Sequence, residues 1–154
     1  MEILNDFDTS VRKALSEIDK NYQSYIGLVV CGTHNQQNVD EILAQIRYTR
    51  ENGVPTLLIC AGHQLGAIEY AINVLGIKDA TSEEFGQGTF VVKKRDTPKV
   101  GLHDGESYWS YYDVAIDYKV PDHFTSVPYH PEYQSSKDSP HPLLVKFMEQ
   151  CKHA

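Results

Sequence analysis

The stretch Leu57-Leu58-Ile59-Cys60-Ala61-Gly62-His63-Gln64 sets a cysteine where an apolar run gives way to a helical pattern. Pro55 to Ile59 has the composition of a buried strand. Leu65, Ile68, Ile72 and Leu75 then recur on one helical face, and Gly76 is a helix stop. No turn residues stand between the two, so the strand passes directly into the helix. A sharp turn of this kind holds a reactive atom above a sheet, which is the mechanics of a nucleophile elbow. Small neighbours let strand and helix approach, and Ala61 and Gly62 supply them. The free N–H groups and partial positive charge at the helix start favour a thiolate over a thiol. The N–H of Ala61, next after the cysteine, is placed to bind an oxyanion. A small buried cysteine at a strand end fits the local pattern equally well.

Working outward, Tyr25 to Val30 is another short apolar run that breaks at a predicted loop, Cys31-Gly32-Thr33-His34. Asn38 is a candidate cap for the next helix, with Glu41 three residues on. Val39, Ile42, Leu43 and Ile46 form its buried stripe, and Gly53 fits its end. Before these, Thr9 or Ser10 caps a first helix carrying Val11, Ala14, Leu15 and Ile18. Strand, helix, strand, helix with apolar strands predicts a parallel sheet covered by helices. Beyond Thr81 the pattern changes. Phe90–Val92, Val114–Tyr118 and Thr125–Tyr129 read as short strands, and Pro142–Cys151 as a last helix packed by Leu143, Leu144 and Phe147. The expected architecture is a three-layer α/β fold in one domain over residues 1–154.

The 154 residues are 41% hydrophobic and 23% charged, an ordinary globular mixture. No stretch approaches the roughly 20 apolar residues of a membrane span. Met1 to Ser10 does not have the form of a secretory signal. Fourteen basic against 21 acidic residues give a formal charge of −7. Binding to nucleic acid or an anionic membrane is not expected of so acidic a chain. Three widely spaced cysteines do not make a disulfide framework, and a reducing cytoplasm is the expected compartment. His103, His123, His141 and His153 lack zinc-type spacing, so no metal site is expected.

Leu58 to Gln64 resembles the Gly-Ile-Cys-Leu-Gly-Met-Gln motif of the class I (triad) glutamine amidotransferases, and most of all the glutaminase domain of CTP synthase. The resemblance runs on through Tyr48–Pro55, Glu69–Gly76 and Ala80-Thr81-Ser82-Glu83-Glu84-Phe85. Near the other end, His130-Pro131-Glu132-Tyr133 resembles the family's His-Pro-Glu-Phe, and His141-Pro142-Leu143 its His-Pro-Leu. It covers roughly Ile26–Phe85 and Thr125–Cys151. It implies a flavodoxin-like parallel sheet and a cysteine–histidine–glutamate mechanism: Cys60 as nucleophile, His130 as base and acid, Glu132 as the carboxylate orienting the imidazole. By the same matching, Gln64 contacts bound glutamine, Glu84 pairs with its ammonium group, and Gly32 and Ala61 lie where oxyanion N–H donors are needed. Taken alone, His130 is a histidine in a proline-rich turn and Glu84 a solvated loop carboxylate. The chemistry implied is hydrolysis of the side-chain amide of glutamine, or of a γ-glutamyl amide, through a thioester. It needs neither metal nor organic cofactor. A separate synthetase partner, or a homo-oligomer, is implied.

Three departures from the family pattern stand out. Its Gly-Gly-Phe-Gly loop is here Cys31-Gly32-Thr33-His34, with His34 expected to be exposed. Only one helix is predicted before Ile26, so the fold is expected to be truncated at the N-terminus, with the first helix or a second subunit covering the sheet edge. The basic segment that fixes the substrate carboxylate falls at Tyr108–Val114, where Tyr111 stands in place of an arginine. The aromatic cluster Tyr108, Trp109, Tyr111, Tyr112 and Tyr118 serves either core packing or a partner or ligand surface. These departures leave open an alternative function, a catalytically weak homologue acting as a regulatory or binding module.

Overall fold

The protein is described by a computed structural model, which defines residues 1–103 and 106–154, with side chains for all of these except 98–103 and 106–109. In chain order the elements are β1 (Glu2–Leu4), α1 (Thr9–Ile18), β2 (Leu28–Val30), α2 (Val39–Asn52), β3 (Thr56–Ile59) and α3 (Ala61–Asn73). They continue with β4 (Ala80–Ser82), β5 (Thr89–His103), β6 (Glu106–Val114), β7 (Phe124–Val127) and α4 (Pro142–Lys152). β1, β2, β3 and β7 form a parallel sheet in that order.

Because side chains alternate across a strand, the apolar runs feed two cores. Leu28, Val30 and Leu58 face α2 and α3, packing with Ile42, Ile46, Leu65, Ile68 and Ala71. Val29, Leu57 and Ile59 face α1 and α4, packing with Val11, Leu15, Leu144, Phe147 and Met148. The result is the three-layer α/β arrangement the sequence predicts. An ion pair ties the helices of the first layer: Arg50 of α2 donates twice to the buried Glu69 of α3, at 2.6 and 2.9 Å.

Several boundaries differ from expectation. A strand precedes the first helix: β1 pairs in parallel with β2, Ile3 opposite Val29. Three residues are too few to show a period, so the pattern was not visible. β1, not α1, therefore covers the edge of β2. The steps from β1 to β2 and from β2 to β3 run the same way across the sheet, yet α1 and α2 lie on opposite faces. The two crossovers consequently have opposite hands, where parallel units almost always share one. The helix start at Asn38 is in place, but Asn38 adopts φ 57° and makes no side-chain cap. Asp8, not Thr9 or Ser10, precedes α1.

The second half holds a separate sheet, β4-β5-β6. β4 was not predicted. The run at Phe90–Val92 belongs to the much longer β5, which pairs antiparallel with β6 through Val92 opposite Val114 and His103 opposite Glu106. Val114 ends β6, and Ile116–Tyr118 is not a strand. Polar alternation along β5 hides a strand from a search for apolar runs. Of the aromatic cluster, the side chains of Tyr108 and Trp109 lie outside the described residues, as does that of His103.

Candidate active site

β2, β3 and β7 end side by side, and the loops that follow gather at the carboxyl edge of the sheet, where open α/β sheets place their sites. Cys60 sits between the last residue of β3 and the first of α3, at φ 54° and ψ −105°. Among the described residues only Asn5, Asn38 and Cys60 have positive φ without being glycine. Strain at such a residue persists only where its surroundings enforce it. Here the Cys60 N–H donates to the Val127 carbonyl at 3.0 Å, holding the turn against β7. A Cβ on Gly62 would stand 2.2 Å from the Val30 carbonyl oxygen, so only glycine allows α3 so close to β2. One turn on, a Cβ on Gly66 would meet Leu58 and the Tyr118 hydroxyl at 2.5 Å. Two glycines thus seat the helix on the sheet and fix the elbow. Cys60 remains half-buried, whereas Cys31 and Cys151 are buried. Burial pushes both of the latter thiols up to about 12, with the charge of Glu132 adding to the effect at Cys31.

His130 follows β7 and opens a one-turn 3₁₀ segment, Pro131–Gln134. Glu132 lies inside that turn with its side chain fully buried. Its Oε2 is 2.9 Å from Nδ1 of His130. A carboxylate only accepts, so Nδ1 carries the proton and the ring's Nε2 is left for Cys60, which lines the same cleft. Burial disfavours the imidazolium, but the hydrogen bonds to Cys60 and Glu132 and the charges of both outweigh it and raise His130 to about 10. Glu132 Oε1 has no hydrogen-bond partner among the described residues, which leaves the imidazole as this carboxylate's sole anchor there. Tyr133 stacks on the His130 ring, centroids 4.9 Å apart and planes within 25°. Gly32 closes the cluster from β2. A Cβ there would stand 3.1 Å from His130 Cε1 and 3.6 Å from Cys60 Cβ. Gly32 does not have positive φ, so its requirement is space beside the imidazole and not a left-handed peptide.

A cleft of about 630 Å³ opens in front of Cys60 and His130, bounded by α3, β6 and the segment Pro128–Gln134. Gln64 and Glu84 both line it. They also meet each other: Gln64 Nε2 donates to Glu84 Oε2 at 2.8 Å, and Ser82 Oγ donates to Gln64 Oε1 at 2.7 Å. The Glu84 N–H closes the ring onto Ser82 Oγ at 3.1 Å. Glu84 is thus an exposed carboxylate that is nonetheless held in place, and the buried Gln64 serves to hold it. Tyr111 lines the opposite wall and is 42% exposed. His34 is exposed, edge-on to Phe7. His141 caps α4, its Nδ1 accepting from the Leu143 N–H at 3.1 Å, and His123 bonds the Thr49 carbonyl.

Ser82, Tyr133 and His63 belong to this neighbourhood and were not singled out from sequence. His63 lines the cleft one turn after Cys60, its Nδ1 2.7 Å from Ser126 Oγ on β7. The signal for His63 was available, since it stands inside the elbow motif where the family has methionine. Together the side chains bring a thiol, an imidazole clamped by a carboxylate, the N–H groups at the start of α3 and an anchored anion to one cleft. That set can open an amide by nucleophilic attack, stabilise the oxyanion and hold a cationic group of the substrate.

A family model described as glutamine amidotransferase class-I matches residues 4–117. CTP synthase of Bdellovibrio bacteriovorus is 29% identical over 201 aligned positions, which take in 92% of this chain and 36% of that protein. CTP synthase of Methanoculleus marisnigri is 47% identical over 66 positions, 43% of this chain and 12% of that one. The chain therefore spans about a third or less of the length of these relatives. Among solved structures, the glutaminase domain of Trypanosoma brucei CTPS with bound acivicin superposes with a TM-score of 0.76 at 19% identity, covering 97% of this chain and 89% of that one. That likeness shows the shared fold. The family match runs from the last residue of β1 through β6, including the elbow and the strand before it, and so takes in most of the chain. The chain belongs to the class-I glutamine amidotransferase family.

Proposed function

We propose that this protein hydrolyses the side-chain amide of glutamine, or of a γ-glutamyl amide, through a thioester on Cys60. The observation that carries the reading is the meeting of His130, clamped by the buried Glu132, with Cys60, a cysteine on a strained strand-to-helix turn, in one open cleft. Cys60 as thiolate attacks the amide carbonyl. The C–N bond breaks, and the imidazolium of His130 gives its proton to the departing ammonia. Water, deprotonated by His130, then opens the thioester and releases the acid. The Ala61 N–H at the start of α3 is one oxyanion donor, and the loop at Gly32 lies where a second is needed. Glu84, held by Gln64 and Ser82, takes the substrate ammonium. Released ammonia has a use only beside an acceptor. We therefore propose a synthetase-type acceptor site as the destination of the ammonia, as the similarity to part of the longer CTP synthases suggests.

The test is glutamate and ammonia release by the purified protein, compared with Cys60→Ala. Release abolished by the substitution supports the reading. A chain whose hydrolysis of glutamine and of γ-glutamyl amides alike is unaffected by Cys60→Ala does not use this mechanism.

A further inference from the structure

The loop after β2 carries the Gly32 peptide, and the short segment after β1 holds that loop from one side. Asn5 follows β1 directly and adopts φ 73°. Its Nδ2 donates to the Cys31 carbonyl at 2.9 Å and to Gln36 Oε1 at 3.0 Å, and Gln36 Nε2 donates back to Asn5 Oδ1 at 3.3 Å. Two residues on, the Phe7 N–H donates to the Gly32 carbonyl at 3.2 Å, and the Phe7 ring meets His34 edge-on. The carbonyls of Cys31 and Gly32 are therefore both turned toward the β1 side. The peptides are trans, so each N–H points away from the C=O it is joined to. The Gly32 N–H, which shares a peptide with the Cys31 carbonyl, is thus turned away from β1 and toward β3. β3 lies on the other flank of β2, and Cys60 is the residue that follows it. A Cβ built on Gly32 would stand 3.6 Å from Cys60 Cβ, so the two residues are neighbours. Position 5 has two demands to meet: it must enter the left-handed region, and it must donate. Gly, Asn and Asp enter that region most readily, and of these Asn alone has a side-chain N–H.

We propose that Asn5 is a positioning residue for amide hydrolysis: it orients the Cys31–Gly32 peptide so that the Gly32 N–H is the second donor to the oxyanion. The assignment rests on the amidohydrolase reading above and names what sets its oxyanion site. When the Cys60 sulfur bonds to the amide carbon, the π pair of the C=O moves onto oxygen. That charge is met by the Ala61 N–H from α3 and by the Gly32 N–H from the loop. Gln36 braces the Asn5 amide, and Phe7 fixes the next carbonyl, so the donor is aimed before substrate arrives. Removing an oxyanion donor outright costs ~10²–10³ in rate, and a donor that is present but misaimed costs less, about 10- to 100-fold.

The experiment measures hydrolysis of L-glutamine and of γ-glutamyl-p-nitroanilide, together with the rate at which iodoacetamide alkylates Cys60. Alkylation displaces iodide at a saturated carbon and builds no oxyanion, so it reads the thiol and His130 without the donor. Asn5→Asp keeps the size and the left-handed backbone but turns the donor into an acceptor. Asn5→Gly keeps the backbone and removes the amide. Both are expected to lower kcat about 10- to 100-fold, with KM within about threefold and Cys60 alkylation within about twofold of wild type. Gln36→Leu leaves Asn5 in place without its brace. It should lower kcat about threefold to tenfold, and it carries the test if neither variant at position 5 folds. Unchanged kcat in whichever of these variants folds overturns the assignment and leaves the amidohydrolase reading standing. A parallel fall in kcat and in alkylation also overturns it, since the segment then places Cys60 or His130 and not the oxyanion donor. Wild-type hydrolysis that is absent, or that survives Cys60→Ala, removes both readings.

Discussion

β2 and β3 lie side by side, and each ends in a cysteine followed by a small residue: Cys31-Gly32 and Cys60-Ala61. Their fates are opposite. At the end of β2 the chain stays tied to β1. The Cys31 N–H donates to the Leu4 carbonyl at 3.0 Å, Asn5 Nδ2 donates to the Cys31 carbonyl at 2.9 Å, and the thiol is sealed in the α1–α4 core. At the end of β3 the backbone leaves the sheet through positive φ, and the sulfur comes out into a cleft. Sealing raises the Cys31 thiol to about 12, whereas the turn presents Cys60 to an imidazole. On the proposed mechanism, reactivity is a property of the junction, not of the residue. Two junctions in one sheet make each a control for the other.

The largest effect should come from the nucleophile. Cys60→Ala is expected to lower amide hydrolysis by at least ~10⁴-fold, as removal of a covalent nucleophile does elsewhere. An alkylating agent at limiting concentration should mark Cys60 first. With a pKa of about 12, Cys31 and Cys151 hold a thiolate fraction of only about 10⁻⁴ at pH 8. Peptide mapping that finds Cys31 labelled ahead of Cys60 would break the comparison.

Next comes the clamp on the imidazole. Glu132→Gln should reduce kcat by roughly 10²–10⁴-fold while the fold persists, because the amide no longer stabilises a charged ring. The same pair predicts a pH signature. His130 is raised from an ordinary 6.5 to about 10, so the folded state holds this proton more tightly than the unfolded state. The stability from this linkage is fully present below pH 6.5 and is lost as pH rises through about 10. Imidazole resonances followed by NMR should show His130 titrating near 10. In Cys60→Ala, which deletes one hydrogen bond and one charge, the midpoint should fall. A midpoint at the ordinary value in the wild type would remove the ion-pair reading.

The two glycines behind the junctions separate stability from activity. Gly62→Ala forces a Cβ onto the Val30 carbonyl, a backbone atom that has no room to yield. Overpacking of that kind costs roughly 3 kcal/mol, which in a chain of this size lowers Tm by about 6–12 °C. Gly32→Ala presses instead on His130 and Phe7 at 3.1 Å, side chains that can shift by tenths of an ångström. Its expected cost is about 1 kcal/mol or less in stability, but roughly 10- to 100-fold in kcat through the displaced imidazole. If Gly32→Ala leaves kcat intact, the loop after β2 does not set the position of His130.

The elbow was legible in sequence because three independent constraints coincide there: an apolar run, a helical period starting without pause, and glycine at the point of closest approach. The helices α1 to α4 and the central strands were legible for the same reason, since each presents an apolar face of regular period. β1 was not, being three residues long and half-exposed. β5 was legible only at Phe90–Val92, because its lysine- and arginine-rich continuation hides the strand period. Tertiary roles were read only in part. Glu84 and Gln64 were found as separate residues, but their mutual bond through Ser82 depends on bringing the start of α3 to the end of β4. Gly32 was expected to matter as an oxyanion donor, and its need for space beside the imidazole is a further demand that only the position of the His130 ring reveals.

The smallest effect should come from the sealed cysteine. Cys31→Ala removes one sulfur atom from a fully buried site and leaves a cavity smaller than a methylene pair. Deletions of that size cost about 0.5–1.5 kcal/mol, felt as a fall in Tm of a few degrees. The backbone bonds from Leu4 and Asn5 involve the main chain of residue 31 and survive the change. Hydrolysis should stay within about threefold of wild type, and the labelling pattern at Cys60 should not change. Set beside Cys60→Ala, this variant sharpens the contrast between the two junctions because the pair deletes the same atom from each in turn. If the sulfur of Cys31 were a participant, for instance as a reserve nucleophile beside Glu132, its loss would lower turnover far more than stability. A rate loss above about tenfold, with Tm unchanged, would therefore contradict the division between a structural thiol after β2 and a reactive one after β3.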